Sequence, residues 1–224
     1  MSAYGQFCPV ALGTEIVAER WTPLILRELL AGAKRFSDIQ RGVPRMSRNL
    51  LAQRLVSLQR AGIIDRHAPK KGSGPEYHLT DAGRELRGVV DALGTWGYKW
   101  ASKDLTAEHL DPDFVMWALR RYVRVDELPD ARVVVLVTFR GDSRHRYWLV
   151  LQRPEADLCV IDPGFDVDVE MHAELEAMAR VTLGQLPLVQ AMKAGRIEVT
   201  GAPRYRRGLC NWLGITRFAP AAGR

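Results

Sequence analysis

The chain has 224 residues, 47% of them apolar and 26% charged, with 32 Lys/Arg against 26 Asp/Glu for a formal charge of +6. Such a composition excludes a disordered or fibrous chain and leaves room for two domains of ordinary size, each with its own core. No run approaches the ~20 apolar residues of a membrane span, the opening MSAYGQFCPV lacks a cationic leader, and Cys8, Cys159 and Cys210 are too few and scattered for a disulfide framework. A cytoplasmic protein with no membrane partner is therefore expected.

A first helix is predicted over residues 9–19, with Val10, Ile16 and Val17 on one face. Thr22 is placed to cap a second, with Pro23 at the tolerated first position, Leu24, Ile25, Leu29 and Leu30 as its core stripe, and Gly32 at its end. Ser37 is placed to cap a third, short helix that stops before Gly42-Val43-Pro44. Ser47 then caps a longer helix to about residue 60, in which Leu51, Leu55 and Leu58 share one face while Arg48, Asn49, Gln53 and Ser57 point away from it. Gly62 closes that helix, residues 63–67 and 77–80 read as two strands, and APKKGSGPE is a basic tip between them. Thr80 caps one last helix to about residue 103, carrying Leu86, Val89, Val90, Leu93, Trp96 and Trp100.

That order of helices and strands is a winged helix-turn-helix, and charge agrees with it. Residues 34–71 hold ten Lys/Arg against Asp38 and Asp65, and residues 1–103 carry 16 basic and 9 acidic side chains. Residues 104–224 carry 16 and 17, so only the first half suits a polyanion. Ser47 opens a helix N-terminus to phosphate. Arg48, Asn49 and Gln53 are side-chain types that pair with guanine or adenine edges in the major groove. Arg45 and Arg54 are placed to flank phosphates, and Lys70 and Lys71 to reach an adjacent groove or backbone. The partner implied is double-stranded DNA.

The boundary between two domains, 1–103 and 104–224, is expected within residues 102–114, where helical periodicity lapses and Pro112 starts a new helix. Phe114, Trp117, Ala118 and Tyr122 mark that helix. Strands are predicted over 133–139, 147–151, 158–161 and 167–171, the first two joined at Gly141-Asp142. Helices over 173–179 and 187–193, a strand over 196–200 and a closing helix over 203–213 complete the chain.

No catalytic or cofactor constellation stands out, so neither an enzyme nor a cofactor is expected. His67, His78, His109, His145 and His172 are scattered, without partners at metal-ligand spacing. Asp166, Asp168 and Glu170, alternating with Val167 and Val169, read as the solvent side of a sheet. No Gly-rich phosphate loop follows a strand.

The run FCPVALGTEIVAERWTPLILRELLAGAKRFSDIQRGVPRMSRNLLAQRLVSLQRAGIIDR, followed by PEYHLTDAG, resembles the HxlR-type winged-helix regulators of bacteria, relatives of the MarR group. Residues 5–103 are covered, and the specific parts are Cys8-Pro9, Arg20-Trp21 followed by Leu24-Ile25-Leu26, RFSDIQR, and LTDAG. The resemblance implies a homodimer joined through its terminal helices on a near-palindromic operator. By position, Arg48, Asn49 and Gln53 would read bases, while Ser37, Arg54, Lys70 and Lys71 would hold backbone. Some members sense oxidants or electrophiles through a cysteine at the place of Cys8, which a helix N-terminus can activate.

Residues 110–215, centred on DVDVEMHAELEAMARVTLGQLPLVQAMKAGRIEVTGAPRYRRGLCNWLG, resemble the sterol-carrier-protein fold. There a five-stranded, antiparallel-rich sheet packs helices over an apolar tunnel. Phe139, Trp148, Met171, Met178, Met192 and Trp212 are the candidates to line such a pocket, or else to fill a closed core. An α+β chain follows. Its expected function is a dimeric repressor whose second domain takes an apolar effector that changes the spacing of the recognition helices. The alternatives are a thiol-based regulator acting through Cys8 and a lipid carrier with a vestigial helix-turn-helix.

Overall fold

The computed structural model describes residues 4–68 and 74–220, so Lys70 and Lys71 of the basic tip lie outside the described residues. Its chain divides into two units, Met1–Gly97 and Tyr98–Arg224. In chain order the first holds α1 (Pro9–Val17), α2 (Thr22–Leu30), α3 (Phe36–Gly42), α4 (Arg48–Arg60), β1 (Ile64–His67), β2 (Glu76–Leu79), α5 (Asp81–Glu85) and most of α6 (Arg87–Trp100).

The leucine spacing of α4 does what its period requires. Leu51, Leu55 and Leu58 are buried with Ile25 and Leu26 of α2, Ile39 of α3 and Ile64 of β1. β1 and β2 pair antiparallel from Ile64↔Leu79 to His67↔Glu76. A bridge from Arg35 to Glu76 fastens this hairpin to the entry of α3. The LTDAG run has a local reason as well. Thr80 Oγ1 accepts from the Gly83 N–H at 3.1 Å and donates to the Gly62 carbonyl at 2.7 Å. A Cβ on Gly83 would come within 2.2 Å of the Ile63 carbonyl oxygen, so only glycine lets α5 sit this close to β1.

Several local expectations are corrected. α1 ends at Val17, two residues early, and Val10 is exposed. Thr22 does not cap α2: Trp21 precedes the helix at φ 77°, and Thr22 is its first residue, with a buried hydroxyl that has no partner. Leu24, expected in the core, is 38% exposed. Ser37 lies inside α3, which opens at Phe36 without a side-chain cap. The single long helix after Thr80 is two, since α5 ends at Glu85 and α6 starts at Arg87.

The second unit contains α7 (Pro112–Arg121), β3 (Val133–Phe139), β4 (Asp142–Gln152), β5 (Glu155–Cys159), β6 (Val169–Ala173), α8 (Leu175–Thr182), α9 (Leu188–Lys193), β7 (Ile197–Gly201) and α10 (Pro203–Trp212). Asp111 caps α7 by accepting from the Phe114 N–H at 3.0 Å, with Pro112 in the first turn. The sheet has five strands in the order β5-β4-β3-β6-β7. It is mixed: β3 pairs parallel with β6, and the other three pairings are antiparallel.

Period two divides its side chains between faces. Val133, Val135, Val137 and Phe139 of β3, Met171 of β6 and Val199 of β7 join α7, α8 and α10 in one core. Tyr147 of β4 is buried there too, and its hydroxyl donates to Asp113 of α7 at 2.7 Å. Burial and the carboxylates of Asp113, Asp111 and Asp142 push that phenol well above its ordinary range. Val134, Leu136 and Trp148 form a separate buried cluster on the other face, beside Cys159. Two strand expectations are corrected: β5 stops at Cys159 and leaves Val160 and Ile161 exposed, and β6 begins at Val169 rather than at 167. The helix expected over 173–179 starts later, at Leu175, because Ala173 still pairs in the sheet.

Candidate functional sites

α3 and α4 are joined by a turn that side chains hold in place. Gln40 Nε2 donates to the carbonyls of Val43 and Met46 at 3.2 and 2.7 Å. From α2, Arg27 donates to the Gly42 carbonyl at 2.7 Å and to the buried carboxylate of Glu28 at 2.8 Å. A Cβ on Gly42 would lie 2.0 Å from Glu28 Cδ, so a glycine is required where α3 crosses α2.

With the turn fixed, α4 presents a defined outer face. Ser47 Oγ accepts from the Leu50 N–H at 3.3 Å, which leaves other N–H groups of the first turn facing outward. Arg48, Asn49 and Gln53 are all exposed on the helix, and Arg45 is exposed just before it. The Arg48 guanidinium also lies over the Phe36 ring of α3, its Cζ 5.0 Å from the centroid.

Arg54 differs from these. Its side chain is 11% exposed and forms an ion pair with Glu19, at the chain segment after α1. Partial burial works against its charge and lowers its pKa. Arg54, expected to flank a phosphate, is here engaged with Glu19 within the unit. Glu19 went unnoticed because an isolated acid after a helix carries no sequence signal of a partner 35 residues away. Ser37 is exposed on α3.

Two other surfaces of the first unit bear on function. Val89, Leu93 and Trp96 of α6 are 48–60% exposed and recur at helical spacing. Cys8 is exposed immediately before α1, and the backbone N–H groups of Ala11 and Val10 hold its thiol below the ordinary range.

In the second unit the six residues expected to line one pocket do not face a common space. Phe139, Met171, Met178 and Trp212 are packed into the core between sheet and helices. Trp148 lies on the opposite face of the sheet. Met192 alone among them lines a groove of about 710 Å³, bounded by α9, β7 and α10. Sequence reasoning missed Lys193, Arg206 and Arg207 on that groove, although the RYRR run in the last helix was a visible signal. Among the described residues no cluster of three or more His, Cys, Asp or Glu suits a metal ion, and no helix is long and apolar enough to cross a membrane.

A helix-turn-helix braced from α2, an outer α4 face with Arg48, Asn49 and Gln53 exposed, and a two-stranded wing together define a DNA-binding transcription regulator of the winged helix-turn-helix class. The HxlR-like helix-turn-helix family model matches residues 16–105. The regulator YvaP of Bacillus subtilis is 31% identical over 112 residues, which are 49% of this chain and 95% of that protein. The chain belongs to the HxlR-like family. The regulator Rv3095 of Mycobacterium tuberculosis is 36% identical over 121 residues, 47% of this chain and 73% of that one. Among solved structures, the reduced form of the transcriptional regulator YodB from B. subtilis is 28% identical, covering 45% of this chain and all of that one with a TM-score of 0.38. The redox regulator HypR in its reduced form is 27% identical over 41% of this chain and 91% of that chain, with a TM-score of 0.38.

Proposed function

We propose that this chain is a homodimeric operator-binding repressor. In this reading Arg48, Asn49 and Gln53 read base edges, while Arg45, Ser47, Ser37 and the tip residues Lys70 and Lys71 contact phosphates. The observation that carries it is the outer face of α4, where three base-pairing side chains stand exposed next to a capped helix N-terminus. The exposed aromatic stripe on α6 supports a seam between two copies, since that much apolar surface at helical spacing is a normal sign of an interface. The second unit serves as an effector domain of sterol-carrier-like type, a reading supported by a five-stranded sheet with its helices packed on one face. An effector acts by binding the DNA-competent and incompetent states unequally.

The test uses the full chain and a duplex selected by it from a random pool. Binding should weaken steeply with salt, as phosphate contacts release counterions. Arg48→Ala with Gln53→Ala should lower the preference for the selected duplex over random DNA by about 1–3 kcal/mol per lost bidentate contact. An unchanged preference refutes the base-reading roles. A reporter promoter overlapping the selected site should fall in output when the chain is expressed, and a rise refutes repression.

A second reading is favoured by one observation. Cys8 is exposed with its thiol held low, the microenvironment of a reactive cysteine. In that reading oxidation or alkylation of Cys8 releases DNA. Cys8→Ser then abolishes release by an oxidant such as diamide but leaves basal DNA affinity intact; release that persists in the variant refutes it.

A further inference from the structure

The two edges of the five-stranded sheet are finished differently. β5 forms one edge, and side chains occupy its outward backbone groups: Arg120 Nε donates to the Ala156 carbonyl at 2.8 Å, and the Leu158 N–H donates to Asp157 Oδ1 at 3.3 Å. β7 forms the other, paired with β6 alone. The Glu174 N–H bonds to the Arg196 carbonyl. The alternation of an antiparallel ladder then turns the backbone of Glu198 and Thr200 toward β6 and that of Ile197 and Val199 outward. No hydrogen bond reaches those outward groups among the described residues. Ile197, Glu198, Val199 and Thr200 all line the groove bounded by α9 and α10. Successive side chains of a strand point to opposite faces, so a groove lined by all four runs along the open edge rather than over one face.

The helix side of this edge is partly apolar and otherwise cationic. Val189 and Met192 of α9 supply the apolar part, and Lys193, Arg206 and Arg207 stand exposed at its margin. None of these three cations has a side-chain ion pair or hydrogen bond among the described residues. Glu198, which also lines the groove, already accepts from Arg140 at 2.7 Å. We propose that β7 is a docking edge for an extended acidic segment of a second protein, which joins the sheet as a sixth strand. Its backbone continues the ladder from Ile197 and Val199, at the roughly 4.8 Å spacing of sheet neighbours. Every second side chain faces α9 and α10, where acids meet Arg206, Arg207 and Lys193 and an apolar residue lies on Val189 and Met192. Arginine suits this role because its planar fork meets a carboxylate through two parallel hydrogen bonds. A polynucleotide has the charge but no row of amide groups to extend the ladder. A second copy of β7 would set one cationic cluster against its twin. The site stands whether or not the second unit takes an effector.

Fluorescence anisotropy with the full-length protein tests the site, using a labelled, C-terminally amidated hexapeptide TETVTE and its neutral counterpart TQTVTQ. In the first, Glu, Val and Glu share one face of the extended chain. The acidic peptide should bind at least about tenfold more tightly, as charge-assisted hydrogen bonds imply. Arg206→Gln with Arg207→Gln should remove that difference and leave the neutral peptide's affinity unchanged. N-methylation of alternate peptide residues reads the ladder itself. One alternate set should cost at least about tenfold and the other little, because only one set of N–H groups faces β7. Equal affinity for the two peptides, indifference to the double variant, or equal tolerance of both methylation patterns overturns the strand addition. A hexathymidylate that displaces the acidic peptide at lower concentration overturns it in favour of nucleic acid. Peptide binding that splits the protein into a smaller species in analytical ultracentrifugation assigns the edge to a second copy and overturns it as well.

Discussion

Arg48, Asn49 and Gln53 stand in water on α4, whereas Phe139, Met171, Met178 and Trp212, candidates for either a pocket or a closed core, are buried between sheet and helices. The two units use the same helical and strand periodicities, yet a polar pattern says which side chains stay in water while an apolar one leaves core and pocket both open. A cluster of exposed cations has one physical use, because burying it unpaired is prohibitive. A cluster of large apolar residues has two, a core or a pocket, and only packing separates them. In the second unit the open groove lies at the sheet edge, bounded by α9, β7 and α10.

Truncation across this contrast should give the largest effect. Met178→Ala, in the core, should lower stability by about 2–5 kcal/mol, whereas Met192→Ala on the groove should lose under about 1 kcal/mol. Denaturant unfolding of the full chain measures both, and equal losses would abolish the distinction between core and groove. Gly42→Ala should come next, at about 1–3 kcal/mol, because its methyl must displace the buried Glu28. DNA affinity should fall with it as α3 moves off α2, and a variant as stable as the parent would contradict that close approach.

Glu19→Gln should cost about 1 kcal/mol or less, since Glu19 is 36% exposed and water screens the pair. The informative readout is DNA binding. With Arg54 released to reach phosphate, the slope of log K against log salt should steepen by about one. A shallower slope in Arg54→Ala would instead restore Arg54 as a phosphate contact in the native protein. The smallest effect concerns rate. Cys8 should react with iodoacetamide at lower pH than Cys210, because thiolate forms as pH rises through the pKa, and that pKa is lowered at Cys8 and raised at Cys210. Mass spectrometry of the labelled peptides across pH 6–9 gives the order, and earlier labelling of Cys210 would reverse the assignment.

Much of the first unit was legible because its signals are local. Ser47 precedes its helix and caps it, Leu51, Leu55 and Leu58 share a face, and Gly62 ends the helix at positive φ. Where reading failed, the turn before a helix or the pairing of a strand had intervened. Ser37 looked like a cap, but α3 begins one residue earlier, at Phe36, whose neighbour Arg35 bridges to β2. Thr22 looked like a cap too, yet Trp21 takes the left-handed turn in its place. Trp148 was grouped with Phe139 on residue type alone. Its even position in β4, paired with Leu136, puts it on the far face of the sheet.

From its residues alone the chain specified a basic winged helix with an outward polar face on α4, because periodicity, capping and charge act within a few residues of one another. Strand order, the parallel β3–β6 pairing, the Glu19–Arg54 ion pair and the cationic groove beside β7 were decided only in three dimensions. Each of these depends on segments far apart in sequence meeting, and no local pattern records which partner closes a core and which leaves an edge open.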